Sequence, residues 1–499
     1  MEFKFRIYTR MLLMLVFMAP VSCAASDKFY ADNVPPTGNN PIEENTEYFE
    51  KFVDLGSATL EEKVDMAARL IPTPAQLEWQ RWELTAFIHF TVNTWTGQEW
   101  GDGTENPDVF NPGELDTDQW VRTLKDAGFK LVMLTAKHHD GFCLWPTKTT
   151  SHSVASSSWK DGKGDVVQML RESCDKYGMK LGLYVSPWDR NASCYGTPEY
   201  DDMFVAQITE LLTWYGDVAE MWFDGANGSS IPGTPTHTFD WPRYMKAVKD
   251  LQPHVVTAIM GDDIRWVGNE AGRGREQEWS SVALQPAPLK NPATVVSGLE
   301  AKSADLGSRD VLSRAKALYW YPAEVDVSIR NGWFYHADQQ PKSLETLKQI
   351  YFASVGSNAV LLLNIPPDTR GLLPDADVQR LGEFGTWIRE SFTDNRVIGG
   401  DGAWQAASGK SREFDVQPGQ LFNVVMLQED IARGQRVERF RVEITSDGST
   451  WETIAQGITI GHKRLVKLDT PRTARNLRVT IEQTRRTANL SNVGLYYAK

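Results

Sequence analysis

Two stretches of the chain hold the residues best suited to chemistry. In Ala219-Glu220-Met221-Trp222-Phe223-Asp224-Gly225 an apolar run, Val218 to Phe223, reads as a buried strand that delivers Asp224 to a glycine-released turn. A strand-terminal Asp commonly caps a turn or the next helix; the competing reading puts Asp224 in a pocket lined by Trp222 and Phe223. The second stretch, Gly261-Asp262-Asp263-Ile264-Arg265-Trp266-Val267-Gly268-Asn269-Glu270-Ala271-Gly272, offers Asp262, Asp263 and Glu270 on a loop whose glycines let it bend back over a pocket. Two carboxyl groups flanking a sugar suit glycoside cleavage, about 5 to 5.5 Å apart for retention and wider for inversion. Metal ligation by His89, His138, His139 and Asp224 is the other chemistry these residue types allow. Adjacent histidines on an extended strand point to opposite faces, and no His-x-His or His-Glu-x-x-His pattern occurs. The expectation is therefore a pair of carboxyls with no metal and no cofactor.

These residues need elements to position them. Thr85 to Phe90 reads as a first buried strand ending near His89, preceded by a helix with Pro74 in its first turn. Thr117 to Ala127 is a helix pattern closed by Gly128, followed by a strand, Lys130 to Thr135, that runs into Lys137-His138-His139-Asp140-Gly141. Asp165 to Tyr177 and Lys180 to Val185 repeat the pair, as do Tyr200 to Tyr215 and the strand before Asp224. Trp241 to Leu251 then precedes Val255 to Met260. Ala323 to Ile329, Leu344 to Ala353, Ala359 to Asn364 and Val378 to Ser391 continue the alternation. Gly261 to Pro322 looks like loop, and a sixth strand has no clear place in it. Alternation at this spacing implies parallel strands with crossover helices, and the fold class expected is α/β, a (β/α)8-like, partly degenerate barrel. In such a barrel the strand C-termini form the active face. Past Asn395 short alternating runs with Asp-Gly turns, such as Phe440 to Ile444 and Leu477 to Ile481, predict an antiparallel β-sandwich that could bind glycans.

Composition narrows the partners. A net charge of -13 argues against nucleic acid or an anionic membrane, since nothing offsets phosphate repulsion. Neutral ligands fit better, and 18 Trp supply flat faces that could stack on sugar rings. Lys4, Arg6 and Arg10 before the apolar run Met11 to Ala19, then small residues, read as an export signal too short to span a bilayer. Cys23 stands where a bacterial lipoprotein carries its lipid anchor, although Pro20-Val21-Ser22 matches that signal poorly; ordinary cleavage near Ala24 or Ala25 is the equal alternative. Either route exports the protein to the periplasm or outer surface of a bacterium. The partition expected is residues 1–25 signal, 26–51 linker, 52–395 barrel and 396–499 sandwich. Cys143, Cys174 and Cys194 show no ligand spacing and allow one disulfide at most.

Ile88-His89-Phe90, Glu99-Trp100-Gly101, Lys137-His138-His139-Asp140-Gly141-Phe142, Tyr184-Val185-Ser186-Pro187 and Trp222-Phe223-Asp224-Gly225, in this order, resemble the alpha-L-fucosidases of glycoside hydrolase family 29. The resemblance covers roughly Phe52 to Ser391. It implies a retaining mechanism with Asp224 as nucleophile, and a fucose pocket formed by His89, Glu99, Trp100, His138, His139, Tyr184 and Trp333. Gly268-Asn269-Glu270 is similar to the subgroup acting on alpha-1,3- and alpha-1,4-linked fucose of branched, Lewis-type glycans, which implies Glu270 as acid/base. Glu276 and Glu278 read as a solvated charged loop. The partner implied is a fucosylated oligosaccharide or glycoconjugate. A broader alpha-L-fucosidase acting on alpha-1,2 or aryl fucosides, and a non-catalytic glycan-binding protein, are the alternatives.

Overall fold

The computed structural model describes residues 47–286, 296 and 298–499. The export signal, Cys23 and most of the tether lie outside the described residues. Eight parallel strands form the central sheet: β1 Leu84–Ile88, β2 Leu131–Lys137, β3 Lys180–Val185, β4 Glu220–Phe223, β5 Val256–Ile259, β6 Arg265–Trp266, β7 Ala323–Ser328 and β8 Val360–Asn364. Their spatial order is β5-β4-β3-β2-β1-β8-β7-β6. A parallel bridge from Ala258 to Ile264 brings the two edges together, so the sheet curls into a nearly closed barrel.

Alternation along each strand divides the core. Phe87, Leu131, Met133, Tyr184, Trp222 and Leu362 face one another inside the barrel, over Trp79 from helix α1, Pro74–Trp82. Their strand neighbours Ile88, Val132, Leu183, Phe223 and Leu363 face outward into the helical layer. That layer comprises α2 Thr117–Asp126, α3 Val166–Tyr177, α4 Pro198–Trp214, α5 Trp241–Leu251, α6 Leu344–Ala353 and α7 Asp375–Phe392. Capping fixes several starts: Asp116 and Asp165 accept from backbone N–H groups one turn on, and Thr73 forms a reciprocal box with Gln76.

The sixth strand is the irregular one. No crossover helix separates β5 from β6; five residues turn the chain back beside β5, with Ile259 at φ 65° and Gly261 packed against Thr257. A two-residue strand starting with a buried Arg carries no apolar signature, which is why the sequence pattern passes over it. Between β6 and β7 the chain builds a small antiparallel sheet, in which Ala317–Trp320 pairs with Ser281–Val282 and with Phe52–Asp54. Ordered structure is already present at Phe49–Glu50, which pairs with Leu70–Ile71.

The C-terminal strands are β9 Trp404–Ala406, β10 Lys410–Asp415, β11 Phe422–Glu429, β12 Val437–Thr445, β13 Glu452–Gly457, β14 Arg464–Arg472, β15 Asn476–Thr484 and β16 Ala488–Tyr496. They form two four-stranded antiparallel sheets, β9-β16-β11-β14 and β10-β15-β12-β13, whose inner faces share one apolar core. The sandwich is bonded to the barrel through buried polar groups: Gln435 accepts from Ser280 N at 2.7 Å and donates to Glu278 O at 3.1 Å, and Arg485 lies 3.9 Å over Trp279. The three described cysteines are free, and no helix among the described residues is long and apolar enough to cross a membrane.

Candidate active site

A cavity of about 190 Å³ opens at the C-terminal ends of the strands. Its lining contains Asp224, Glu270, His89, His138, His139, Tyr184, Trp100 and Trp333, brought together from six of the barrel strands and the loops that follow them. Drug-sized ligands occupy roughly 300–1,000 Å³, so this space suits a single small ring.

Asp224 follows β4 with its carboxylate oriented from both sides. Ala226 N donates to Oδ1 at 2.7 Å and the Tyr184 hydroxyl donates to Oδ2 at 3.0 Å, with His139 Nε2 3.9 Å away. Strand alternation sends Trp222 and Asp224 inward and Phe223 outward against Phe204 and Trp241. Phe223 is therefore no part of the pocket, and only the Trp222 half of that expectation holds.

Glu270 stands exposed at the rim on the loop after β6. Its pKa is raised, first by the partial desolvation of this position and then by the Asp224 charge, while a hydrogen bond from Trp333 works the other way. Asp262 and Asp263 are held elsewhere: Lys51 Nζ donates to both, at 2.9 and 2.6 Å, and Lys249 reaches Asp263 at 2.8 Å. The backward turn after β5 is what takes them away from the mouth. Glu278 is no solvated loop residue either. It is 1 % exposed and ion-paired with both Arg265 and Arg275, which closes the 265–278 loop at its base.

The three histidines are buried imidazoles with depressed pKa values. Burial lowers His89 to about 3 and His138 well below its ordinary range; His139 is lowered mainly by burial, with Asp224 opposing. Neutral rings both donate and accept, which suits sugar hydroxyls. Asn364 orients His89 through Nδ1 at 2.9 Å and also donates to Trp333 O at 2.8 Å; Ser186 Oγ lies 2.7 Å from His139 Nδ1. Among the described residues no three His, Cys, Asp or Glu side chains are disposed to hold a metal ion.

Glu99 is absent from the lining. Its carboxylate accepts from Trp333 N at 2.7 Å and lies 3.1 Å from His336 Nε2, so it latches the loop that carries Trp333. Trp333 in turn stacks on His89, ring centroids 5.1 Å apart. Trp188, Ser230 and Asp326 also line the cavity and were not expected there. For Asp326 the signal existed: Glu324-Val325-Asp326-Val327-Ser328 alternates polar with apolar in a buried strand, placing the polar side chains on the barrel interior.

The alpha-L-fucosidase family model matches residues 66–391, and an F5/8 type C domain model matches 382–495. The chain belongs to the alpha-L-fucosidase family, glycoside hydrolase family 29. It is 38% identical over 460 residues to alpha-L-fucosidase 1 of Arabidopsis thaliana, covering 86% of this chain and 88% of that one. The solved structure of a putative alpha-L-fucosidase from Bacteroides ovatus has 55% identity and a TM-score of 0.88, over 91% of this chain and 79% of that chain. A GH29 fucosidase of Ruminococcus gnavus, solved in complex with fucose, has 30% identity and a TM-score of 0.75, over 86% and 95%. The protein is a glycoside hydrolase, an alpha-L-fucosidase.

Proposed function

We propose that this fucosidase is exo-acting and retaining, and that it releases terminal alpha-1,3- or alpha-1,4-linked L-fucose from branched, Lewis-type glycans. The observation that carries the proposal is the pair Asp224 and Glu270 in one monosaccharide-sized cavity. Asp224 attacks the anomeric carbon as its carboxylate while protonated Glu270 gives its proton to the departing glycosidic oxygen. Glu270 then takes a proton from the water that hydrolyses the fucosyl-enzyme. The raised pKa of Glu270 supports the donor role, and the hydrogen bonds from Tyr184 and Ala226 support an oriented nucleophile. The fucose complex of the Ruminococcus gnavus relative supports fucose as the ring bound. The linkage preference rests on the Gly268-Asn269-Glu270 resemblance.

Replacing Asp224 by Gly should abolish turnover, and azide should restore it as a fucosyl azide of inverted configuration. Wild-type activity in the unrescued variant would end the nucleophile assignment. Glu270→Ala should lose far more activity on natural glycans than on activated aryl fucosides, whose leaving groups need little protonation. Comparing Lewis-type trisaccharides with a nitrophenyl fucoside and an alpha-1,2-linked fucoside tests the linkage; preference for the latter two would favour the broader alternative.

A further inference from the structure

Asp326 lies on β7 with its side chain in the cavity lining, yet neither half of the double displacement uses it. The residue is 4 % exposed, and its carboxyl forms no ion pair among the described residues. One oxygen is occupied: Trp266 Nε1 donates to Oδ1 at 2.9 Å. The ionisable groups acting on it are the carboxyls of Glu270 above and Glu324 two residues below on the same face. None of the described residues lining the cavity is Lys or Arg. An ionised carboxylate here would be buried beside two other carboxyl groups with no cation paired to it, and its hydrogen bonds from Trp266 and the backbone do not offset that burial, so the group takes up a proton instead. Burial and these two neighbours accordingly push its pKa well above the ordinary carboxyl range. With Oδ1 accepting from Trp266, the proton belongs on Oδ2. The Tyr184 hydroxyl is committed to Asp224, so Oδ2–H of Asp326 would add to the donors that the histidines and Trp188 supply on other walls of the cavity.

We propose that Asp326 is a substrate-binding residue, a neutral carboxylic acid whose Oδ2–H donates a hydrogen bond to a hydroxyl of the bound fucosyl ring. The proposal rests on this cavity being the fucose site. It is independent of which carboxyl protonates the leaving group, because the contact is to the sugar that stays behind.

The test exploits the likeness of an amide to a neutral acid. Asp326→Asn keeps the acceptor for Trp266 and a donor toward the sugar, so L-fucose affinity, measured calorimetrically, should stay within about threefold of wild type. Asp326→Ala removes the donor and should weaken L-fucose binding and raise KM about tenfold. The Ala loss should be the same for nitrophenyl and glycan substrates, unlike that of Glu270→Ala. Should the Ala variant fail to fold, Asp326→Asn still decides. An Asn variant that binds L-fucose tenfold or more weaker would show the native group to be ionised and would overturn the proposal. So would an Ala variant that binds fucose as wild type does. Absence of any fucose binding to wild-type protein would instead remove the underlying site assignment. A protonated-carboxyl carbonyl band in the infrared spectrum, lost in Asp326→Asn, is the independent readout.

Discussion

Glu99→Ala tests whether the wall of the cavity is held from outside it. The carboxylate accepts two hydrogen bonds from the loop that carries Trp333, at 2.7 and 3.1 Å. A hydrogen bond to a charged group contributes about 1.5–3 kcal/mol when well buried. The Glu99 side chain is 35 % exposed, so solvent screening reduces each to about 1 kcal/mol, and the pair to about 2 kcal/mol. Two contacts survive the substitution, Asn364 Nδ2 to Trp333 O at 2.8 Å and the stack of Trp333 on His89. The loop should therefore open part of the time without melting. Ligand affinity falls by the fraction of closed loop, so about 2 kcal/mol sets an upper bound of roughly 30-fold, and about tenfold is expected. The assay is L-fucose affinity together with KM and kcat on a nitrophenyl fucoside. KM should rise with kcat changed little, and His336→Ala, which removes one of the two bonds, should give about a third of the effect. Unchanged fucose affinity in Glu99→Ala would refute the latch. A loss confined to kcat, with a shifted alkaline limb, would mean that Glu99 acts through its charge on Glu270.

Other outcomes follow from the same geometry. The alkaline limb of kcat/KM should lie above the ordinary Glu pKa, about 4.3, because Glu270 is protonated only below its own raised value; Glu270→Gln should abolish that limb, and its persistence would locate the proton elsewhere. Glu278→Gln should destabilise the fold by about 3–5 kcal/mol in denaturant unfolding, since it strands Arg265 in the interior; a loss below about 1 kcal/mol would show that the pair relaxes into solvent. His89 has its pKa depressed by burial to about 3, so between about pH 6.5 and pH 3 the unfolded chain binds a proton that the folded one does not, and stability falls as pH falls. In His89→Gln the acid-side decline of unfolding free energy should be shallower by about 1.4 kcal/mol per pH unit across that window; an unchanged slope would mean that the imidazole ionises freely in the native state.

The legible parts of this protein were those written in neighbouring residues. β2, β3 and β8 are short apolar runs closed by polar residues, and Trp241–Leu251 and Leu344–Ala353 carry their helical period within themselves. The histidines, Tyr184 and Asp224 sit at strand ends, so a parallel barrel gathers them whatever the loops do. What escaped depends on partners distant in sequence. Glu278 looks like one charge in a charged loop until Arg265 and the sandwich residue Gln435 surround it. Glu99 looks like a pocket residue until Trp333 N, 234 positions later, takes its carboxylate. β6 failed for a local reason: two residues, the first a buried Arg, present no pattern to detect.

The two carboxyls proposed for catalysis are consequently held by different kinds of structure. Asp224 is fixed by its own strand, by Ala226 two residues on, and by Tyr184 from the adjacent strand β3. Glu270 rides a loop whose base is the Arg265–Glu278 pair, and the far side of that base is bonded to the sandwich, with Gln435 on Glu278 O and Ser280 N and Arg485 over Trp279. Glu278 O keeps the donor Asn358 Nδ2 at 2.9 Å, but losing Gln435 would take from the buried Ser280 N–H its acceptor, a cost that moving the loop relieves. Damage there should reach proton donation before it reaches nucleophilic attack. Gln435→Leu is thus expected to slow hydrolysis of glycans, whose leaving oxygen needs a proton, more than hydrolysis of a dinitrophenyl fucoside, whose leaving group does not. Equal losses on both substrates would place the sandwich in a purely stabilising role and detach it from the chemistry.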